Sequence, residues 1–151
     1  MVSPNEIKKL REQTGVSMSL CKEALEVAQG DQARALEYLR SKGTQSAEKK
    51  SSRILGAGTI TAYVHSNKNI GSIVQLDCET DFVAKNDEFV ALAYDIAMHI
   101  SATNPQNPEV LLTEPFIKDA EKTIKQLIES ATQKFGERVE ITRFTRYSNR
   151  E

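Results

Sequence analysis

The apolar residues of this chain change period twice before its last helices, and the two changes set the order of its structure. Up to Gly43 they recur every three or four positions, as on one helix face. From residue 57 to residue 78 they alternate with mostly polar neighbours, and from Phe89 onward the helical spacing returns. A chain patterned in this way folds as α+β rather than as a bundle or a sandwich.

The first 43 residues carry three helix signals. Ser3 can cap, Pro4 suits the first helical position and Glu6 completes a capping box, while Gly15 provides the stop. A second helix is predicted from Ser17 to Gly30, with Cys21, Ala24, Leu25 and Ala28 on one stripe. Asp31 caps a third, which turns Ala35, Leu36 and Leu39 inward and ends by Gly43. A three-helix unit of this size has no room for a catalytic pocket and reads as a docking surface.

Residues 44–56 read as a linker, because TQSAEKKSSR holds no apolar residue larger than alanine. The core domain is then predicted over 57–151. GTITAYVH is expected to bury Ile60, Ala62 and Val64, and IGSIVQLDC to place Ile70, Val74, Leu76 and Cys78 on one side. With SNKN as the turn, the two strands form an antiparallel hairpin. A helix capped by Asn86 carries Phe89, Leu92, Ala93, Ile96, Ala97 and Ile100 on one face, and TNPQNP breaks it. A further helix from about Asp119 to Phe135 buries Ile124, Leu127, Ile128, Ala131 and Phe135, and RVEITRFTRY supplies a third strand. The expected architecture is a helical N-terminal module followed by a three-stranded antiparallel sheet packed with helices.

Charge and motif content exclude several functions. With 20 basic and 21 acidic residues the formal charge is -1, so no global field draws the chain to nucleic acid, and no direct nucleic-acid partner is expected. No apolar run approaches the roughly 20 residues of a membrane span, and MVSPNEIKKL lacks a signal peptide's apolar stretch. Cys21 and Cys78 stand in no metal-ligand spacing and suit reduced thiols. His65 and His99 sit in different elements, no nucleophile has an evident base beside it, and no P-loop occurs. An enzyme is not expected, nor any cofactor or metal.

Residues 78–89, CETDFVAKNDEF, stand where strand hands over to helix. Periodicity from either side turns Phe82 toward the core, since it lies seven residues before Phe89 and on the parity of Cys78. The polar run Glu79, Thr80, Asp81 and the cluster Lys85, Asn86, Asp87 favour a turn instead, through which neither period need extend. The residues themselves leave both readings open.

A resemblance decides between them. KKLREQTGVSMSLCKEALEVAQGDQARALEYLRSKG resembles the ubiquitin-associated-type (UBA-like) module of the elongation factor Ts family, and GSIVQLDCETDFVAKNDEFVALAYDIAMHISATNP closely matches that family's signature. EPFIKD and RFTRY are similar to the end of its core. The resemblance implies a guanine nucleotide exchange factor whose TDFV loop engages the GTP-binding domain of elongation factor Tu and unsettles its magnesium and phosphate site. Asp81 would orient the loop, Phe82 would act as the wedge, Thr80 and Val83 would shape it, and the module would grip the partner through residues around Met18 and Lys22. Leu20 departs from the family, which often has an aspartate there. Longer members carry a duplicated core, so a single core implies a homodimer of the family's short form, with Cys78 near the subunit contact. The compartment implied is the cytoplasm, or a mitochondrial or plastid matrix for a mature organellar chain. The reading that competes is an adaptor whose helical module binds another protein over a passive α+β scaffold.

Overall fold

The structure, a computed structural model, describes residues 1–150. The N-terminal module is α1 (Pro4–Thr14), α2 (Met18–Val27) and α3 (Gln32–Lys50). Ser3 and Glu6 form the capping box read from the sequence, Gly15 ends α1 at φ 73°, and Ser17 and Asp31 cap α2 and α3. Leu10, Val16, Cys21, Ala24, Leu25, Ala28, Ala35 and Leu39 close its core, with Leu20 and Leu36 packed at the margin.

The third helix does not end by Gly43. It runs on to Lys50, so residues 44–50 of the expected linker are helical and only 51–56 lack regular structure. Gly43 lies buried within the helix, where a Cβ would stand 3.3 Å from the Gln133 side chain and 3.6 Å from the Glu129 carbonyl. The glycine here serves close approach to another helix rather than termination. Lys49 and Lys50 in the last turn suit the negative end of the helix dipole.

Beyond residue 56 come β1 (Ala57–Val64), β2 (Ile70–Cys78), α4 (Asp81–Ala84), α5 (Asp87–Thr103), α6 (Pro108–Thr113), β3 (Pro115–Phe116), β4 (Asp119–Thr123), α7 (Ile124–Phe135) and β5 (Glu140–Ser148). The fold is α+β, and the larger sheet is antiparallel with strand order β1-β2-β5. Val74, Leu76 and Cys78 of β2 face α5, and Phe89 meets Phe135 of α7 edge to face at 5.7 Å. The short strands β3 and β4 form a separate hairpin. The helix expected from Asp119 therefore begins at Ile124, because Thr123 and Gln126 make a capping box and residues 119–123 pair as β4.

The faces of β1 are the reverse of the expectation. Ile60, Ala62 and Val64 point away from α5, while Thr59, Thr61 and Tyr63 lie opposite Leu76, Val74 and Ser72 on the covered side. Alternation separates two faces but does not say which is covered; the register with β2 does. The open face carries Ile60, Ala62 and Val64 with Ile73 and Tyr147, an exposed apolar surface on a three-stranded sheet.

His99, fully buried on α5, ties the small hairpin to this core. The Ile117 N–H donates to Nδ1 at 3.2 Å, which leaves the proton on Nε2 to bond Glu114 at 3.0 Å. Thr103 donates to the same Glu114 oxygen.

Candidate partner-binding site

At the end of β2 the chain turns through Glu79 and Thr80 into α4, a helix of one turn. A single turn does not hold by its own hydrogen bonds, because nucleation fixes several residues for one bond. The surroundings hold it instead. The Thr80 hydroxyl accepts from the Val83 N–H at 3.4 Å, and the Ala84 and Lys85 amides bond the carbonyls of Thr80 and Asp81. Val83 and Ala84 are buried in the core, and Asn86 caps α5 through the Glu88 N–H.

With both neighbours on its C-terminal side packed inward, Phe82 is turned outward and 85% exposed. The core position that its spacing from Phe89 suggests is thus overturned, because the turn at 79–86 interrupts both periods. An isolated phenylalanine this open is an apolar group offered to a partner or left to water. Asp81 is exposed beside it, and its carboxylate has no hydrogen bond or ion pair among the described residues. Thr80, Asp81 and Phe82, rooted by the buried Val83, therefore form one small projection with an apolar tip and an adjacent free charge, and Val83 has no surface to offer a partner directly.

Two glutamates secure the root of this projection. One oxygen of Glu137 accepts the N–H of Glu79 and that of Thr80, both at 3.0 Å, and the other accepts the Thr80 hydroxyl at 2.7 Å. In return Glu79 accepts the Arg138 N–H and, at 3.4 Å, an Arg53 guanidinium N–H. Arg138 also donates to the Arg53 carbonyl at 2.7 Å and pairs with Glu140. Sequence reading missed this group, for nothing in GERVE marks its acid as a partner of residues 79 and 80.

Cys78 is fully buried on the covered side of the sheet and donates to the Thr80 carbonyl at 3.3 Å. Burial, reinforced by the Glu137 charge, pushes its pKa up to about 11. Its thiol does not reach the open face, so a subunit contact through that face leaves Cys78 aside.

Met18 and Lys22 lie one turn apart on an exposed flank of α2, with Met18 45% exposed and Lys22 pairing loosely with Glu26 at 3.8 Å. They belong to the helical module and not to the projection around Phe82. Leu20, at the position where an acid stood in question, packs against the module core. Among the described residues, no cluster of three or more His, Cys, Asp or Glu is disposed to hold a metal ion, and no helix is long and apolar enough to cross a membrane.

The geometry coincides with clear sequence similarity. A family model described as Elongation factor TS matches residues 79–151. The elongation factor Ts of Thermodesulfovibrio yellowstonii is 40% identical over 97% of this chain and 95% of its own length. That of Desulforamulus reducens is 37% identical over 97% of this chain and 88% of its own. The protein of the same name from Trichlorobacter lovleyi is 42% identical, and the match spans 47% of that longer chain. The similarity runs through the helical module as well as the core, and the chain belongs to the elongation factor Ts family of translation elongation factors.

Proposed function

We propose that this chain is a guanine nucleotide exchange factor for elongation factor Tu, with Phe82 as the wedge that promotes GDP release. The observation that carries the reading is the 85% exposure of a phenylalanine whose neighbours Val83 and Ala84 are buried. Asp81 orients the wedge through its free carboxylate, Thr80 and Val83 fix the shape of the projection, and Met18 and Lys22 provide a second hold through α2. The factor works in the cytoplasm, and its chemistry is binding rather than bond-making.

Burying one phenylalanine contributes roughly 1.5 to 3 kcal/mol, whereas a thousandfold acceleration of release needs about 4 kcal/mol. Phe82 therefore acts with Asp81 and the α2 contacts. Only contacts that are stronger in the nucleotide-poor form of the partner promote exchange, since equal binding to both forms shifts nothing. Coupling is reciprocal, so incoming nucleotide weakens the factor's hold by the same ratio and frees it.

The open sheet face supports a homodimer. Ile60 (63% exposed), Val64 (58%), Ile73 (44%) and Tyr147 (74%) form an apolar surface that a second copy would cover, presenting two Phe82 projections per particle. The test of function is release of labelled GDP from elongation factor Tu with and without this chain. Stimulation that saturates with added factor supports exchange; binding without stimulation supports an adaptor instead.

A further inference from the structure

We infer that Glu137 is the positioning residue of the exchange projection, an inference that rests on the exchange reading above. The ladder between β2 and β5 ends at the pair Asp77 and Glu140, so the amides of Glu79 and Thr80 lie just beyond its last register pair. Their partner is a side chain from the opposite segment. Glu137 follows directly on Gly136, whose left-handed φ of 71° ends α7 and turns the chain back toward the sheet end. From there one carboxylate takes three donors, the two amides at 3.0 Å and the Thr80 hydroxyl at 2.7 Å.

The third of these bonds makes the device specific to α4. The Thr80 hydroxyl has one proton, which goes to Glu137, and its lone pairs then face the Val83 N–H as the cap of the one-turn helix. Glu137 thus orients the cap, the cap holds the first turn, and the turn points Phe82 outward. Glu79 closes the bracket from the other side by accepting the Arg138 N–H, so the roots of β5 and of α4 grip each other. Bonds to a charged acceptor are roughly twice as strong as neutral ones. Glu137 is only half-buried and is joined to no cation by an ion pair among the described residues, so its bonds go to the root of the exchange projection.

Three variants separate this role from general stability. Glu137→Gln keeps a carbonyl oxygen for the two amides and turns its NH2 on the Thr80 hydroxyl, which accepts it while another lone pair still faces the Val83 N–H; Glu137→Asp keeps the charge but shortens the reach; Glu137→Ala removes both. Stimulated GDP release is expected to fall about tenfold in the Ala and Asp variants, whose side chains no longer reach the three donors, and to stay within about threefold of wild type in Gln, which keeps bonds to them in weaker, neutral form. Amide hydrogen exchange at residues 79, 80 and 83 should quicken in Ala and Asp, with the amides of β2 and α5 unchanged. In a Phe82→Ala background, Glu137→Ala should cost clearly less than it does alone, because most of its effect runs through that ring. Losses that add in that background, or a Gln variant as impaired as Ala, would overturn the inference. So would full activity in both Ala and Asp. If Glu137→Ala does not fold, the Asp and Gln pair decides alone. A wild-type chain that fails to stimulate release refutes the exchange reading itself, whereas the amide exchange rates still report whether Glu137 holds the projection.

Discussion

Removing the ring of Phe82 separates the two parts a phenylalanine can play at this place. In Phe82→Ala the folded chain loses a side chain that is already 85% in water, so little packing disappears. Surface changes of this kind stay within about 0.5 kcal/mol, which for a chain of this size moves Tm by about 2 °C or less. Phe89 is the internal control: it is fully buried, meets Phe135 edge to face, and its truncation should cost about 3 to 5 kcal/mol. That corresponds to a fall in Tm on the order of 10 °C. Function should sort the pair the other way. If Phe82 is buried in the partner during exchange, its loss removes roughly 1.5 to 3 kcal/mol of transition-state binding, a drop of about ten- to a hundredfold in stimulated release at subsaturating factor. The assay pairs thermal denaturation by circular dichroism with stopped-flow release of a fluorescent GDP. A Phe82→Ala chain that unfolds as Phe89→Ala does, or one that stimulates release as well as an active wild type, would sink the wedge.

Three further outcomes follow from the geometry. Cys78 should resist alkylation by iodoacetamide in the native state at pH 8 and react on unfolding, since its pKa of about 11 keeps the thiol protonated. Because the unfolded thiol ionises at its ordinary lower pKa, the folded state binds the extra proton; its contribution is present below the unfolded value and is lost as pH rises toward 11, measurable as falling urea midpoints. For the homodimer proposed above, Ile73→Arg on the open sheet face should leave the fold intact and shift sedimentation equilibrium from dimer to monomer; an unchanged dimer would place the subunit contact elsewhere, and a monomeric wild type would refute the dimer. Gly43→Ala should raise Tm by a few degrees, because alanine gains about 1 kcal/mol over glycine inside a helix, its Cβ crowds the movable end of Gln133 at 3.3 Å, and the Glu129 carbonyl at 3.6 Å is an ordinary contact.

What the sequence made legible was what short stretches decide for themselves. Ser3 with Glu6, Asp31 and Asn86 act as caps because a cap needs only the next turn of its own helix. Gly43 reads as a stop in isolation and becomes a packing glycine only when Glu129 and Gln133 of α7 lie beside it. Ile60, Ala62 and Val64 read as buried because they are the apolar set of β1, yet the register with β2 puts Thr59, Thr61 and Tyr63 under α5. Thr123 and Gln126 spell a capping box that would have placed the start of α7, had the apparent helix not been extended over Asp119. Glu137 was out of reach for a plainer reason: the amides it binds lie 57 and 58 residues earlier in the chain.

For the exchange role proposed above, the rigidity of the projection bears on the nucleotide release itself and not only on how tightly the partner is held. A pliable loop would adapt to both the nucleotide-bound and the nucleotide-free partner, and contacts equal in both states do no work on the equilibrium. In this chain the conformation around Phe82 is set beforehand by the Thr80 cap, by Val83 and Ala84 in the core and by the Glu79 and Glu137 bracket. Ordering costs of roughly 0.5 to 1.5 kcal/mol per immobilised side chain are then met on folding rather than on association. A wedge that does not yield fits one state of its partner and strains the other, which is the differential affinity exchange requires. Loosening it with Thr80→Gly, which deletes the hydroxyl that both caps α4 and bonds Glu137, should accordingly lower the maximal release rate more than it lowers affinity for GDP-bound elongation factor Tu. A titration in which affinity falls and the maximal rate holds would mean that the projection grips without prying.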